Sequence, residues 1–357
     1  MSSYSGILFA ILIFSFLIFV HELGHFIAAK RSGVQVNEFA MFMGPAIFKK
    51  KVGETTYSLR CIPIGGYCAM EGEDTDTDNP RSFKKAAWWK RLIILVAGSG
   101  MNLIAGFLIV LCVNLFVLNP IPQIGSIAAN SSLTENNGIQ QGDLILKIGD
   151  KVINGVDDFN LIMGDGLEAK VYNVLVERDG DEILLENVKF EKREFDDSDV
   201  KRYGISWAGE FVLRDSFDGI IKDTWKECVF YARAIWDSLG MLVTGKVGLQ
   251  DMAGPVGIVA TMGKVATQSN SFLSGVLSLL GLGGFIAINL GIMNMLPIPA
   301  LDGGRVLSLL IVTPIEKITK KPVNSKIEAY IHAGGMILLL IFMGVIMFKD
   351  IFDIFMR

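Results

Sequence analysis

The chain has 357 residues, 51% hydrophobic side chains, a mean hydropathy of +0.45 and a net charge of −4. This composition is too apolar for an ordinary soluble protein, yet the middle of the chain is densely charged, so we expect a membrane part and a water-soluble part. The sequence contains no basic stripe of the kind that would indicate nucleic-acid binding. The four cysteines have neither metal-ligand spacing nor the pattern of a disulfide framework, and no disulfide is predicted.

The first predicted element is a membrane helix that carries a metal-binding pattern. The apolar run Gly6 to Val20 continues into His21-Glu22-Leu23-Gly24-His25. Side chains at i and i+4 share one face of a helix, so both imidazoles can reach one Zn²⁺, with Glu22 beside the open position as a base. A chance pair of histidines is the alternative, but ionisable residues at membrane depth are costly and usually functional. Without a basic n-region or cleavage site, the run is predicted to be retained.

A β-hairpin is predicted at about residues 48–70. Val52-Gly53-Glu54-Thr55 has the composition of a turn, Tyr57 to Ile62 that of a strand, and Pro63-Ile64-Gly65-Gly66-Tyr67 follows. Because glycine permits close backbone approach, the hairpin could enter the membrane beside the metal pattern. An ordinary cytoplasmic hairpin is the alternative.

Three further apolar runs have the length of a membrane span, at Leu92 to Leu118, Leu273 to Met295 and Ala333 to about Phe348. With the first helix, they predict four spans.

The charges between these spans predict their orientation. Basic residues outnumber acidic ones by eleven to seven from Lys30 to Arg91 and by five to one from Arg305 to Lys326, whereas Thr134 to Glu227 has twelve basic and twenty-two acidic residues. The positive-inside rule therefore places both termini and the middle segment outside the cytoplasm, and the metal pattern toward the cytoplasmic side.

The middle segment is predicted to be a β-rich domain over residues 119–200. It opens at Asn119-Pro120-Ile121-Pro122, and strands are predicted at Tyr172 to Arg178 and Glu182 to Phe190. Gly138 to Ile145 follows the pattern Gly-(apolar)-x-x-Gly-Asp-x-Ile and resembles a PDZ domain, which binds an extended peptide at a sheet edge. A purely structural β domain is the alternative.

Residues 201–270 are predicted to form an extracytoplasmic juxtamembrane region. The charged stretch Lys192 to Arg202 before it indicates a hinge. Phe217 to Leu239 has the spacing of an amphipathic helix, either on the membrane surface or packed against the soluble domain. Gly254-Pro255-Val256-Gly257 is interpreted as a tight turn before the third span.

A second candidate half of the site follows the third span, in residues 271–357. Pro297 and Pro299 forbid a regular helix, and broken backbone at membrane depth persists only where protein or a cavity satisfies its polar groups. Asp302 comes next, at the predicted level of the two histidines of the first helix. Two imidazoles and a carboxylate are a usual catalytic zinc set. His332 is the other possible third ligand, and a helix-end or loop carboxylate is the non-metal alternative.

Together these motifs resemble the site-2 protease family of intramembrane zinc metalloproteases, in the bacterial sigma-factor-regulating branch with an inserted PDZ domain. The resemblance covers nearly the whole chain, including residues 21–25, 63–67, Asn102, the PDZ segment, Gly254-Pro255 and 294–304. Two departures are Gly98-Ser99-Gly100-Met101 before Asn102, where members usually have Gly-Pro, and Arg305, where many have His. The implied fold is a polytopic α-helical membrane protein of four helices, residues 1–118 holding the first two, with an extracytoplasmic PDZ domain and a membrane-associated hairpin.

The resemblance also implies the site residues and the partners. Zn²⁺ would be held by His21, His25 and Asp302, with Glu22 as general base and acid. Substrate contacts are expected from Asn294, Ile64, Gly65, Gly66, Pro297 and Pro299, with the hairpin pairing to an unwound substrate helix. The expected substrates are single-span proteins of a bacterial cytoplasmic (inner) membrane, such as anti-sigma factors already cut outside or remnant signal peptides. The PDZ domain would filter substrates by size or capture a peptide C-terminus.

Two other classes of function remain. A non-catalytic membrane PDZ binding protein or chaperone would not need the intact set of Glu22 and the three ligands. A zinc transporter would need a polar path across the bilayer, and spans two and four show none.

Overall fold

The protein forms two compact units, Met1–Val113 with Ile221–Arg357, and Asn114–Ile220. The computed structural model describes residues 3–73, 77–116, 122–134, 138–153, 155–164, 169–195, 198–208, 217–246, 248, 254–268, 272–320 and 325–356. The helices are α1 (Ser3–Ser32), α2 (Trp88–Phe116), α3 (Val156–Met163), α4 (Phe217–Val243), α5 (Pro255–Gln268), α6 (Phe272–Asn294), α7 (Asp302–Thr319) and α8 (Ser325–Met356). The strands are β1 (Val36–Val52), β2 (Thr55–Met70), β3 (Ile124–Ile127), β4 (Leu144–Ile148), β5 (Lys151–Val152), β6 (Lys170–Arg178), β7 (Asp181–Phe190), β8 (Arg193–Phe195), β9 (Ser198–Arg202) and β10 (Ile205–Trp207).

Four of the described helices are long and apolar enough to cross a bilayer. They span Gly6–Ser32 in α1, Trp88–Phe116 in α2, Phe272–Asn294 in α6 and Tyr330–Asp353 in α8. The prediction of four candidate spans is confirmed, although the fourth begins earlier and ends later than its apolar core.

Helix α5 packs against the first half of α1. Met262 and Ala266 are fully buried in a cluster with residues of α1 that include Ala10 and Leu17. The turn interpretation of Gly254 to Gly257 was wrong, because Pro255 is the first residue of helix α5. Proline is tolerated at this position, since the N–H group of the first helical residue makes no hydrogen bond within the helix. In the first turn of this helix, the backbone N–H of Gly257 donates a hydrogen bond to the side chain of Asp350 in α8, at 2.8 Å.

Strands β1 and β2 form a hairpin that curls on itself. The Val36–Met41 half of β1 pairs on one side with Gly66–Met70 and on the other with Thr56–Leu59, while the second half of β1 pairs with Thr55–Arg60. Within the described sheet, Gly66–Met70 is therefore paired on one side only. That this hairpin is membrane-associated stays a prediction.

The hairpin is anchored by charged side chains at its turn. Glu54 accepts hydrogen bonds from Arg81, at 2.6 and 2.9 Å, and from Lys30 at the end of α1, at 2.6 Å. Hydrogen bonds from Arg81 and Lys30 lower the pKa of Glu54 to about 2. These contacts fix the hairpin turn to the end of the first helix.

The second unit is a β domain with its own apolar core. Its main sheet has the order β5-β4-β6-β7, and β3 pairs with β10. The two strands predicted between Tyr172 and Phe190 are confirmed. The hinge interpretation of Lys192 to Arg202 was wrong, because this stretch contains the paired strands β8 and β9. The predicted domain 119–200 lies within this unit, and its identity as a PDZ domain stays a prediction.

A buried ion pair ties the residue before β4 to the last residue of β6. The carboxylate of Asp143, which is fully buried, accepts hydrogen bonds from Arg178 at 2.6 and 2.7 Å and from the backbone N–H of Gln140 at 2.8 Å. The Asp143 carboxylate raises the pKa of Arg178. The Gly-Asp element of the sequence pattern thus has a structural role in this domain.

Helix α4 agrees with the amphipathic helix predicted from Phe217. Tyr231 contacts Phe285 of α6, with ring centroids 5.3 Å apart, while Trp225 and Trp236 are exposed. The position of this helix relative to the membrane surface stays a prediction.

Candidate metal and active site

The two histidines of α1 meet the first residue of α7. The Oδ2 atom of Asp302 lies 3.1 Å from Nε2 of His21 and 3.3 Å from Nε2 of His25, and the two Nε2 atoms are 3.3 Å apart. One possible ligand atom from each residue lies within 4.8 Å of the others. The three residues predicted as metal ligands are therefore brought together.

The hydrogen bonding of this triad is suited to a cation. Nδ1 of His25 lies 2.8 Å from the carbonyl oxygen of Ile94, which can only accept, so Nδ1 carries the proton and Nε2 presents a lone pair to Asp302. Among the described residues, the buried Oδ2 of Asp302 has no hydrogen-bond donor. Two zinc ligands at about 2.1 Å in tetrahedral geometry would be about 3.4 Å apart, close to the separations found here. The donor set therefore fits Zn²⁺.

Helix α2 supports both histidines with residues one turn apart. Nδ2 of Asn102 lies 3.2 Å from Nδ1 of His21. His25 lies on Gly98 so closely that a Cβ added there would be 2.3 Å from Nε2. Asn102 and Gly98 have the same i, i+4 spacing as the two histidines, so one face of α2 supports one face of α1. The sequence interpretation did not assign these roles, but the shared spacing is a signal for them.

The amide of Asn102 can serve the zinc-binding form of His21. When Nε2 of His21 offers its lone pair to a metal, Nδ1 must carry the proton and needs an acceptor. Oδ1 of Asn102 is buried and has no partner among the described residues. Turning the amide by 180° places Oδ1 where Nδ2 lies, so that Oδ1 can accept from Nδ1 of His21.

The loop between α6 and α7 positions Asp302 through close backbone packing. A Cβ added to Gly303 would lie 2.3 Å from the Leu296 carbonyl oxygen, and one added to Gly335 of α8 would lie 2.5 Å from Cβ of Pro299. The backbone N–H of Ala300 donates to Nδ1 of His332 at 3.3 Å. His332 thus supports the loop, while Asp302 is the residue that meets the other two histidines.

The hairpin brings a glycine pair against the catalytic candidate Glu22. Gly65 has φ of +72°, a conformation that favours glycine. A Cβ added to Gly66 would lie 3.1 Å from Cγ of Glu22 and 3.3 Å from Cγ2 of Ile18. The Glu22 carboxylate also interacts electrostatically with His21, His25 and Asp302. The one-sided strand of the hairpin therefore passes directly beside Glu22, the sequence neighbour of His21 in α1.

An ion pair links the same hairpin to α7. Arg305, in the first turn of α7, pairs with Glu73, which lies shortly after the end of β2. The residue that departs from the family pattern therefore joins the two segments that flank the site.

The remaining predicted substrate contacts are not tested by these distances. Asn294 is the last residue of α6, and Pro297 and Pro299 lie in the loop that follows. The side chain of Ile64 lies outside the described residues. The roles of all four in substrate binding stay predictions.

Sequence comparison agrees with this geometry. Residues 9–342 match the family description Peptidase family M50. A Clostridium acetobutylicum protein named as a candidate zinc metalloprotease is 36% identical, with 98% of each chain covered. Zinc metalloprotease RasP of Bacillus licheniformis is 30% identical and the regulator of sigma-W protease RasP of Bacillus subtilis 27% identical, each alignment covering 97% of this chain and 98% of the relative. The chain therefore belongs to peptidase family M50, the site-2 proteases, and it is a membrane zinc metalloprotease.

Proposed function

We propose that this protease cleaves peptide bonds inside the membrane segments of single-span proteins, with Zn²⁺ held by His21, His25 and Asp302. The observation that carries the proposal is the meeting of these three side chains, two of them within a candidate membrane span, beside Glu22. Ionisable side chains within a membrane span carry a desolvation cost, so their presence there supports a reaction that takes place at membrane depth.

Glu22 is the proposed general base and acid. When bound, zinc supplies a Lewis acid that polarises a carbonyl and lowers the pKa of water. Glu22 accepts the proton of the attacking water and delivers it to the amine nitrogen of the leaving chain. His25 is held for its role by the Ile94 carbonyl, and His21 by Asn102.

The segment Gly66–Met70 is the proposed docking strand for the substrate. A membrane helix hides its amides in i to i+4 hydrogen bonds, so it must unwind before attack, and unpaired backbone groups in lipid are costly. A strand with one open edge can supply replacement hydrogen bonds, as in β-augmentation. The contact of Gly66 with Glu22 supports cleavage next to this edge.

The proposed substrates are anti-sigma factors already cut outside, or remnant signal peptides. The name of the Bacillus subtilis relative, a regulator of sigma-W protease, supports the first of these for regulated intramembrane proteolysis. The separate β domain is proposed to act on access, by excluding large substrates or by binding a newly formed C-terminus.

The test is cleavage of a tagged single-span substrate by the full chain in liposomes, with zinc content measured on the same samples. We expect Glu22→Gln to abolish cleavage while zinc and substrate binding remain, and Asp302→Ala to lose both zinc and cleavage. Glu316→Gln, on α7, is the matched control and should cleave like the wild type. Unchanged cleavage by Glu22→Gln would contradict the proposal and favour the non-catalytic binding protein.

A further inference from the structure

An apolar groove runs along the α1 and α2 pair, with Leu280 of α6 also lining its smaller part. Its larger part has a volume of about 750 Å³ and its smaller part about 290 Å³, and the two parts adjoin each other because both are lined by Met101 and Ile104. The lining of α2 extends from Trp89 to Cys112, which at about 1.5 Å per residue is about 35 Å, comparable with the bilayer core. The groove therefore follows the two helices across the thickness of the membrane.

One end of the groove carries positive charge. Arg31 is exposed at the end of α1, and Lys90 lies in the first turn of α2, where its Nζ donates to the Ser32 carbonyl at 3.1 Å. Trp89 is half exposed, and Nζ of Lys90 lies 5.6 Å from its ring centroid. No carboxylate lines the groove among the described residues. Both basic residues lie at the ends of candidate spans, where lipid headgroups begin.

We propose that this groove binds an anionic phospholipid, with an acyl chain along α2 and the phosphate held by Arg31 and Lys90. Arg31 and Lys90, with no carboxylate among the described residues that line the groove, complement a headgroup with net negative charge rather than a zwitterionic one. An indole at this level suits the headgroup boundary.

The position of the groove links its occupant to the protease site. Gly24 lies between the two metal-ligating histidines, and a Cβ added there would be 2.4 Å from the Ala97 carbonyl oxygen. The contact between α1 and α2 therefore forms the floor of the groove and also holds the faces that carry His21 and Asn102. A lipid in the groove stabilises this helix pair, so its binding should raise the thermal stability of the holoenzyme.

The test measures lipid retention by native mass spectrometry of the full zinc-loaded chain, comparing phosphatidylglycerol with phosphatidylcholine of identical acyl chains. We expect the wild type to prefer phosphatidylglycerol by about 25-fold, from about a fivefold contribution for each of the two basic residues near anionic lipid. The double variant Arg31→Gln and Lys90→Gln should lose this preference and the associated thermal stabilisation. Lys317→Gln, an exposed basic residue on α7, should retain both.

A second variant tests the groove without changing its charge. Gly100 lines the larger part of the groove, and a Cβ added there meets no atom within 4 Å, so the side chain of Gly100→Leu should occupy the groove and reduce retention of both lipids. Gly344→Leu, on the exposed face of α8, is the matched control, and zinc content verifies folding of every variant. Equal retention of the two lipids by the wild type, or unchanged phosphatidylglycerol retention in both groove variants, would overturn the proposal.

Discussion

At the scale of single residues, Asn102 is expected to tune zinc binding through a hydrogen bond. Its amide lies 3.2 Å from His21 Nδ1, on the side of the ring away from Asp302. Asn102→Leu removes the acceptor at nearly constant volume, so zinc affinity should fall by about 10- to 100-fold, the usual effect of losing a partner of a metal ligand. Asn102→Asp keeps an acceptor and should retain most of the affinity.

Chelator competition on the purified full chain measures this change directly. A purely packing role for Asn102 would instead make Asp as harmful as Leu. Thermal denaturation of the zinc-free chain distinguishes that case, because a packing defect lowers stability without metal.

Gly98 is expected to be required for the position of His25. A methyl group at this residue would lie 2.3 Å from Nε2 of the imidazole, well inside contact distance. The close contact between the α1 and α2 backbones at Gly24 and Ala97 opposes a movement of the helices that would remove this clash. Gly98→Ala should therefore lose zinc and cleavage together. Gly344→Ala, in the open on α8, should be neutral in both measurements, and zinc binding by Gly98→Ala at wild-type affinity would refute this prediction.

At the scale of elements, the anchoring of the hairpin turn should depend on pH. The folded pKa of Glu54, about 2, is below its ordinary value of 4.5, so its stabilising contribution is complete above about pH 4.5 and is lost as the pH falls toward 2. The contribution is small, because the ion pairs are partly exposed. Glu54→Gln should speed amide hydrogen exchange at the turn at pH 7, and this difference from the wild type should shrink at pH 3.

The exchange rates are corrected for the intrinsic effect of pH, and Lys50→Gln on the neighbouring strand is the control. A difference that persists unchanged from pH 7 to pH 3 would show that Glu54 acts through something other than its charge.

Some elements could be predicted from the sequence, and others depended on tertiary partners. The i, i+4 histidines and the proline-interrupted segment before Asp302 carry strong local signals, and the structure brings them together. Helix α5 was missed because Gly254-Pro255 also has the composition of a turn, and because its 14 residues are too few for a span. Its stability comes from burial against α1 and from Asp350, which is 93 residues away in the chain.

The hairpin, too, could be predicted only in part from local sequence. A turn at Gly53-Glu54 was evident from composition, but the start of β1 at Val36 was not, because Val36 to Met43 has no clear alternation of polar and apolar residues. The first half of β1 pairs with both Gly66–Met70 and Thr56–Leu59, and this pairing depends on contacts between residues that are distant in the sequence. The one-sided edge beside Glu22 could therefore be expected only from the family resemblance.

At the scale of the whole molecule, the charge pattern makes a prediction about orientation. The segment Thr134 to Glu227 carries ten more acidic than basic residues, whereas the short segment Arg305 to Lys326 has five basic and one acidic. Short basic segments are retained on the cytoplasmic side, so Asp150 should face outward and Lys317 inward. Both side chains are exposed, which makes them suitable positions for labelling.

The measurement uses a membrane-impermeant maleimide on intact cells that carry either Asp150→Cys or Lys317→Cys in a background without the four native cysteines. Asp150→Cys should be labelled in intact cells, and Lys317→Cys only after permeabilisation. With the four candidate spans found in the described part of the chain, tags at both ends are also expected to be reached from outside. Labelling of Lys317→Cys in intact cells would invert the arrangement and place the proposed metal ligands toward the outer side of the membrane. Substrates would then have to be cut near their extracytoplasmic end.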